Sequence, residues 1–260
     1  MEDIYVPGNE RQEEPKKEKK SFIKTSEGLY MGKVFGIMGI GLAVSAIVCF
    51  VLAYVLAFLY NDGEGYLTDE GIRVGFGIMI GSAIALIIDQ LVITFGAFKS
   101  RKNSLSIWIP YIIYATLIGL LLGTLVVFAQ IRFDTIAEAF GITALVFVVM
   151  ALLAMFTKIS LHPLGLIGLG LLFGCMIASL FFGIWYLISP STAVLIYWGI
   201  NIIIIVAMML ITGWDIWRIR RMSEGGLMDN GLAVYSAFVL YTDFINIFIR
   251  LLLILARNRK

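Results

Sequence analysis

Asp243, Asn246 and Arg250 interrupt the otherwise apolar stretch YSAFVLYTDFINIFIRLLLILARNRK, residues 235–260. A helical residue turns by about 100 degrees, so offsets of three and seven place all three side chains on one side of a helix. Ser236, seven residues before Asp243, extends the same stripe. The rest of the surface is Leu, Ile, Phe and Val. A charge in hydrocarbon costs roughly 3 kcal/mol on insertion scales, so this face must look at protein or at water. Two more acids lie in apolar runs: Asp215, in MLITGWDIWRIRRM, and Asp89, beside Gln90 in ALIIDQLVITF.

Acids at such depth are functional-site candidates by default. Each also has a structural reading. Asp215 can pair with Arg218 or Arg221 on the next turn, and Asp243 with Arg250 or another helix. Two carboxylates brought together in a dry place cannot both stay ionised: one holds a proton and the pair titrates jointly. Such a pair can act as a proton-sensitive latch between helices, or as a site for a hard cation such as calcium when both acids ionise. Asp134 and Glu138 open a different run, where acids favour the helix dipole and cap free amides. The single histidine, His162, and the two cysteines, Cys49 and Cys175, give no zinc ligand set and suggest buried free thiols rather than a disulfide.

The elements that position these residues follow from composition. Of 260 residues, 60% are hydrophobic and 15% charged, with a mean hydropathy of +0.94. A soluble domain of this size is far more polar, so an all-α polytopic membrane protein is expected. Seven apolar runs, about 34–60, 73–97, 105–128, 135–156, 164–188, 192–214 and 232–256, each supply the ~20 residues that span ~30 Å of hydrocarbon. Residues 1–33 mix acids and bases without an apolar core and read as an unstructured cytosolic tail, leaving 34–260 as the membrane domain.

Fourteen Lys and Arg residues fall in the amino tail and every second loop, against Arg73 and Arg132 in the alternate loops. By the positive-inside rule the amino terminus is cytosolic. A seventh crossing then carries Arg257, Arg259 and Lys260 outside, so the last run is either re-entrant or held by packing that overrides charge. Small residues four apart, at Gly77 and Gly81 and at Gly170, Gly174 and Ala178, together with the crowded Gly36, Gly39 and Gly41, read as close helix contacts. Pro110 should kink the third run or mark its start.

The ending YTDFINIFIRLLLILARNRK resembles the closing motif of the Bax inhibitor-1 family (transmembrane Bax inhibitor motif proteins), an aliphatic-Tyr-x-Asp-Phe-Ile-Asn run. GWDIWRIRRM is similar to that family's sixth-helix exit, and AEAFGITALVFVVMALLAMFTKISLHPLG to its fourth helix and following loop. The resemblance covers about residues 33–258. It implies a bundle of six transmembrane helices around a central seventh, which would turn the stripe of Ser236, Asp243, Asn246 and Arg250 inward. It also implies a calcium leak gated by an aspartate pair, matched here by Asp215 and Asp243, with Asp89 among the supporting polar residues. Where the family often carries an Arg near the end of helix two, this chain has Phe98, with Lys99 and Arg101 as nearby substitutes.

The expected function is therefore a pH-sensitive, calcium-permeable leak channel, with calcium and protons as its ions. No enzyme activity, cofactor or nucleic-acid partner is expected. The alternative is a membrane adaptor that binds other membrane proteins, as a protease modulator or a cell-death or stress regulator. An intramembrane aspartyl hydrolase is disfavoured because no Gly-x-Gly-Asp motif accompanies the acids. The short chain and plain tail point to a bacterial plasma membrane.

Overall fold

The computed structural model describes residues 14–60, 67–99, 105–157, 159–227 and 229–258. They form eight helices: α1 (Glu14–Leu59), α2 (Asp69–Lys99), α3 (Leu105–Phe128), α4 (Phe133–Phe156), α5 (His162–Leu180), α6 (Phe182–Ile188), α7 (Pro190–Glu224) and α8 (Asn230–Asn258). No strand occurs among the described residues. Seven of the helices are long and apolar enough to cross a membrane. The chain is a multi-pass helical membrane protein.

The run expected at 164–188 is divided into α5 and the seven-residue α6, with Phe181 between them. Helix α1 begins at Glu14, inside the segment expected as an unstructured tail. Glu and Lys are strong helix formers, and a preformed span downstream removes the nucleation cost, so helix propagates back through that segment. Tyr30 and Met31 are buried, which moves the start of the packed domain upstream of residue 34.

Helix ends are set by local chemistry. Pro163 and Pro190 stand in the first turns of α5 and α7, where no backbone donor is lost. Helix α7 stops at a Gly pair: Gly226 takes a φ of +80° and donates to Ser223 O, while Leu227 N–H reaches Met222 O at 3.1 Å. Pro110 is the sixth residue of α3, so the carbonyl it leaves free, that of Ser106, lies in the first turn.

The small residues that bring helices together differ from the expected ones. A Cβ at Gly36, Gly39, Gly77, Gly81, Gly170 or Gly174 would meet nothing within 4 Å. A Cβ at Gly119 would come within 2.7 Å of Ser45 O, and one at Gly123 within 2.9 Å of Cys49 O. These two glycines seat α3 directly on the backbone of α1. Gly168 does the same for α5 against Ala207 of α7. Spacing alone does not say which face of a uniformly apolar helix is turned inward; the partner's shape does. Of the expected set only Gly41 sits at such a contact, beneath the ring of Tyr111.

Helix α8 packs against α1, α2, α3, α4 and α7. Half of its most apolar stretch is buried, against 17% for α1, α2 and α5. An edge-to-face cluster joins it to α3: Tyr241 lies 5.6 Å from Tyr111, and Phe238 lies 5.0 Å from Tyr114. The Tyr241 hydroxyl meets Ser45 Oγ of α1 at 2.6 Å, and Ser45 donates to Ala115 O at 2.8 Å.

Helix α8 is unbroken over 29 residues, about 44 Å at 1.5 Å per residue. Its far end carries Arg257 to the ring faces of Tyr197 and Trp198, near the start of α7, at 5.2 and 5.9 Å. It therefore retraces α7 antiparallel, which a re-entrant hairpin would not. Aromatic stacking supplies packing that holds Arg257 at that end. Lys33 Nζ meets Asn230 Oδ1 at 2.5 Å, and Arg220 reaches Met155 O at the end of α4. The start of α1, the ends of α4 and α7 and the start of α8 thus share one side of the bundle, and Arg257 lies at the other.

Candidate functional site

The exit of α7 fixes the first acid. Asp215 is 4% exposed, nine residues before the helix end at Glu224, about 14 Å along the axis. Arg218, one turn on, brings Nη2 to 2.9 Å from Asp215 Oδ1. The contact is an ion pair without hydrogen-bond alignment, since Asp215 Oδ1 and Arg218 Nε have no hydrogen-bond partner. Arg218 is held in place by lying over the Trp214 ring at 4.8 Å. Arg220 and Arg221 are tied to Glu224 at 2.8 and 3.2 Å, so Arg218 is the arginine that answers Asp215.

The second acid lies near the middle of α8. Asp243 is 5% exposed, thirteen residues from Asn230 and fifteen from Asn258, about 20 Å from either end. The charges acting on it are those of Asp215 and Arg218, and the Thr212 side chain lies against it. Thr212 gives its proton to Met208 O at 2.8 Å, and Asp243 Oδ2 has no hydrogen-bond partner. The tertiary fold thus buries Asp215 on α7 and Asp243 on α8 within electrostatic reach of each other. Arg250 does not close it: its Nη1 donates to Asn201 Oδ1 of α7 at 2.9 Å. Seven residues on, Arg250 is two turns from Asp243, and its long side chain reaches further along α8 rather than back to the acid.

The stripe divides along its length. Ser236 is buried on α8, with its hydroxyl facing that of Tyr30 on α1. Asn246 is exposed and, with Arg250, faces a cavity of about 330 Å³ between α5, α7 and α8, whose rim includes Ser179. Part of the face therefore looks into the bundle and part into a cleft. Asp89 is buried on α2 near Tyr114, with Oδ2 unpartnered, and stands apart from the pair. Phe98 and Lys99 fall at the end of α2, where their side chains lie outside the described residues, as does Arg101 entirely. Asp134 forms an ion pair with Arg132 at 3.3 Å at the start of α4, in keeping with a helix-end role.

Among the described residues no group of three or more His, Cys, Asp or Glu could hold a metal ion. Calcium takes 6–8 oxygens, so two acids supply a partial shell that Thr212, backbone oxygens and water would have to complete. Sequence reasoning treated Arg218 only as a structural partner and passed over Thr212 and Asn201. Thr212 stands three residues before Asp215, on the same helix face, and Asn201 is a lone amide in GINIIIIV; both were legible signals.

Comparison with known proteins agrees with the ending of the chain. The family model described as "Inhibitor of apoptosis-promoting Bax1" matches residues 28–260. The chain belongs to the Bax inhibitor-1 family. The match begins at Gly28, two residues before the buried Tyr30. This Bax inhibitor-1 family member is 29% identical over 248 residues to the inner membrane protein YbhL of Escherichia coli K12, covering 92% of this chain and 97% of that one. It is 28% identical over 235 residues to an uncharacterised membrane protein of Streptococcus pyogenes serotype M3, covering 88% and 93%. A protein of Borreliella burgdorferi, 27% identical over 245 residues, covers 89% and 93%.

Proposed function

We propose that this family member is a pH-sensitive, calcium-permeable leak channel gated by Asp215 and Asp243. One observation carries the reading: two carboxylates from different helices are buried at membrane depth within electrostatic reach of each other. With one proton shared, the pair latches α7 to α8. When both acids ionise, repulsion loosens the contact or a cation takes the proton's place. Arg218 takes the position that the helix-two Arg has in the family's pattern: it offsets one negative charge and must yield for a divalent cation to be held by both acids.

The bundle is read as six helices around α8, supported by its packing on five of the other helices and by its burial. The membrane is read as a bacterial plasma membrane, in line with the name printed for YbhL, and the amino terminus as cytosolic, in line with the fourteen basic residues opposed by two.

The test is calcium flux into dye-loaded liposomes, measured against pH for the parent, Asp215→Asn and Asp243→Asn. Each variant leaves a single acid without a like-charged neighbour, so each should flatten the pH response between about pH 6 and 8. Unchanged profiles in both variants would remove the pair as sensor. Absence of flux in the parent would favour the adaptor reading instead.

A further inference from the structure

The cleft that holds Arg250 has a composition that the calcium reading does not use. Arg257 sits over Tyr197 and Trp198, side chains of the kind that mark a membrane–water interface. Arg250 is seven residues earlier on α8, about 10 Å deeper. A guanidinium has five N–H donors, and at this depth Arg250 uses one side-chain acceptor, Asn201 Oδ1 at 2.9 Å. Among the described residues no carboxylate forms an ion pair with it. Its charge therefore lacks a counter-charge where counter-charge matters most.

The space beside it is shaped. The cavity of about 330 Å³ falls at the low end of small-ligand sites, which run from about 300 to 1,000 Å³. Asn246 offers a second donor there, and the walls are Met176, Ile204 and Met208. Ser179 spends its proton on Cys175 O at 2.7 Å, so the free donors come from α8. Helix α5 makes no direct packing contact with α8 among the described residues, which leaves the mouth of the cleft between them. Phe173, Met176 and Ile177 on α5 are exposed there, so the cleft continues into a lipid-facing apolar surface. A cationic fork at the inner end, thioether and aliphatic walls, and an opening to lipid together match one chemical class.

We propose that this cleft binds an anionic amphiphile, with a carboxylate or phosphate head on Arg250 and Asn246 and an acyl chain leaving between α5 and α8. The methionines suit a chain of variable shape, since their side chains are flexible and polarisable. Arg presents parallel N–H groups that match either head bidentately, and Asn201 fixes the orientation of the fork. The same head chemistry can come from a free fatty acid or from an anionic phospholipid of the bilayer. The site does not depend on the calcium reading.

The test uses full-length protein in nanodiscs of zwitterionic phosphatidylcholine, with labelled oleate as probe. Oleate should bind one saturable site per chain, and dodecyl phosphate should displace it. Oleyl alcohol should not, and inorganic phosphate should compete at least 100-fold less well than dodecyl phosphate. Arg250→Gln should weaken oleate at least tenfold, and Arg250→Lys, which keeps the charge but not the fork, should fall between Gln and the parent. Met176→Trp fills the cleft from the lipid side without touching a charge and should also abolish binding, which guards against a folding defect in the Arg variant. If phosphatidylglycerol in the nanodisc blocks oleate, the occupant is a bilayer lipid; if it does not, a free fatty acid is the occupant. Non-saturable uptake, equal displacement by oleyl alcohol, or unchanged binding in Arg250→Gln and Met176→Trp at full helix content would overturn the assignment.

Discussion

Replacing Arg218 with Gln isolates the electrostatics of the acid pair, because it keeps a side chain of similar length over Trp214 while deleting the charge. The ion pair has 2.9 Å between Arg218 Nη2 and Asp215 Oδ1, so the charge centres are about 4 Å apart. Coulomb's law gives about 4 kcal/mol at an effective dielectric constant of 20 and about 1 kcal/mol in water. Arg218 is 39% exposed and Asp215 6%, so solvent or headgroup screening pulls the figure towards the lower half of that range, about 2 kcal/mol. Losing that attraction penalises the doubly ionised pair and favours the singly protonated one. At 1.36 kcal/mol per pH unit, the midpoint of calcium flux should move to higher pH by about 1.5 units. The assay is flux into dye-loaded liposomes over pH 5 to 9, with Asp215→Asn and the double variant Arg218→Gln/Asp215→Asn alongside. On the Asp215→Asn background, where the pH response is already flattened, the Arg218 change should add a smaller effect, because only its longer-range charge on Asp243 remains. A midpoint that stays in place in the single variant, or moves to lower pH, would refute the placement of Arg218 as the counter-charge of the gate.

Three further outcomes follow. Asp243→Leu should alter flux or thermal stability despite making a more apolar helix, since Asp243 is buried against other helices rather than facing lipid; parent-like activity and stability would separate Asp243 from the gate. Gly119→Leu and Gly123→Leu should each lower stability by about 1–3 kcal/mol or more, because the new side chain meets the backbone of α1 at Ser45 and Cys49, whereas Gly77→Ala and Gly81→Ala should be near neutral; thermal unfolding in detergent compares them. Asn9→Cys should react with an impermeant thiol reagent only after cells are opened, and labelling of intact cells would reverse the proposed orientation.

Much of the fold was legible because a bilayer imposes severe rules. Continuous apolar length has one viable outcome, a helix, so six of the seven runs were placed within a few residues apart from polar extensions such as α7 running on to Glu224. The three acids stood out for the same reason: hydrocarbon makes a buried charge costly enough to be informative in a single sequence. The family, too, was readable in the Asp-Phe-Ile-Asn ending. Other features needed the third dimension. Periodicity could rank the faces of α8, whose polar stripe is asymmetric, but not those of α2 or α5, where every face is apolar. That is why Gly77 and Gly174 looked like contacts and Gly119 and Gly123 turned out to be them. Sequence could give Asp215 three candidate partners and Asp243 two, yet only packing decides among residues that are equally reachable along the chain. Tertiary structure paired Asp215 with Arg218, set Asp243 against Thr212, sent Arg250 to Asn201, and opened the cleft between α5 and α8. The chain's chemistry fixed which groups leave water; the neighbours each group meets there depend on how helix surfaces far apart in sequence fit together.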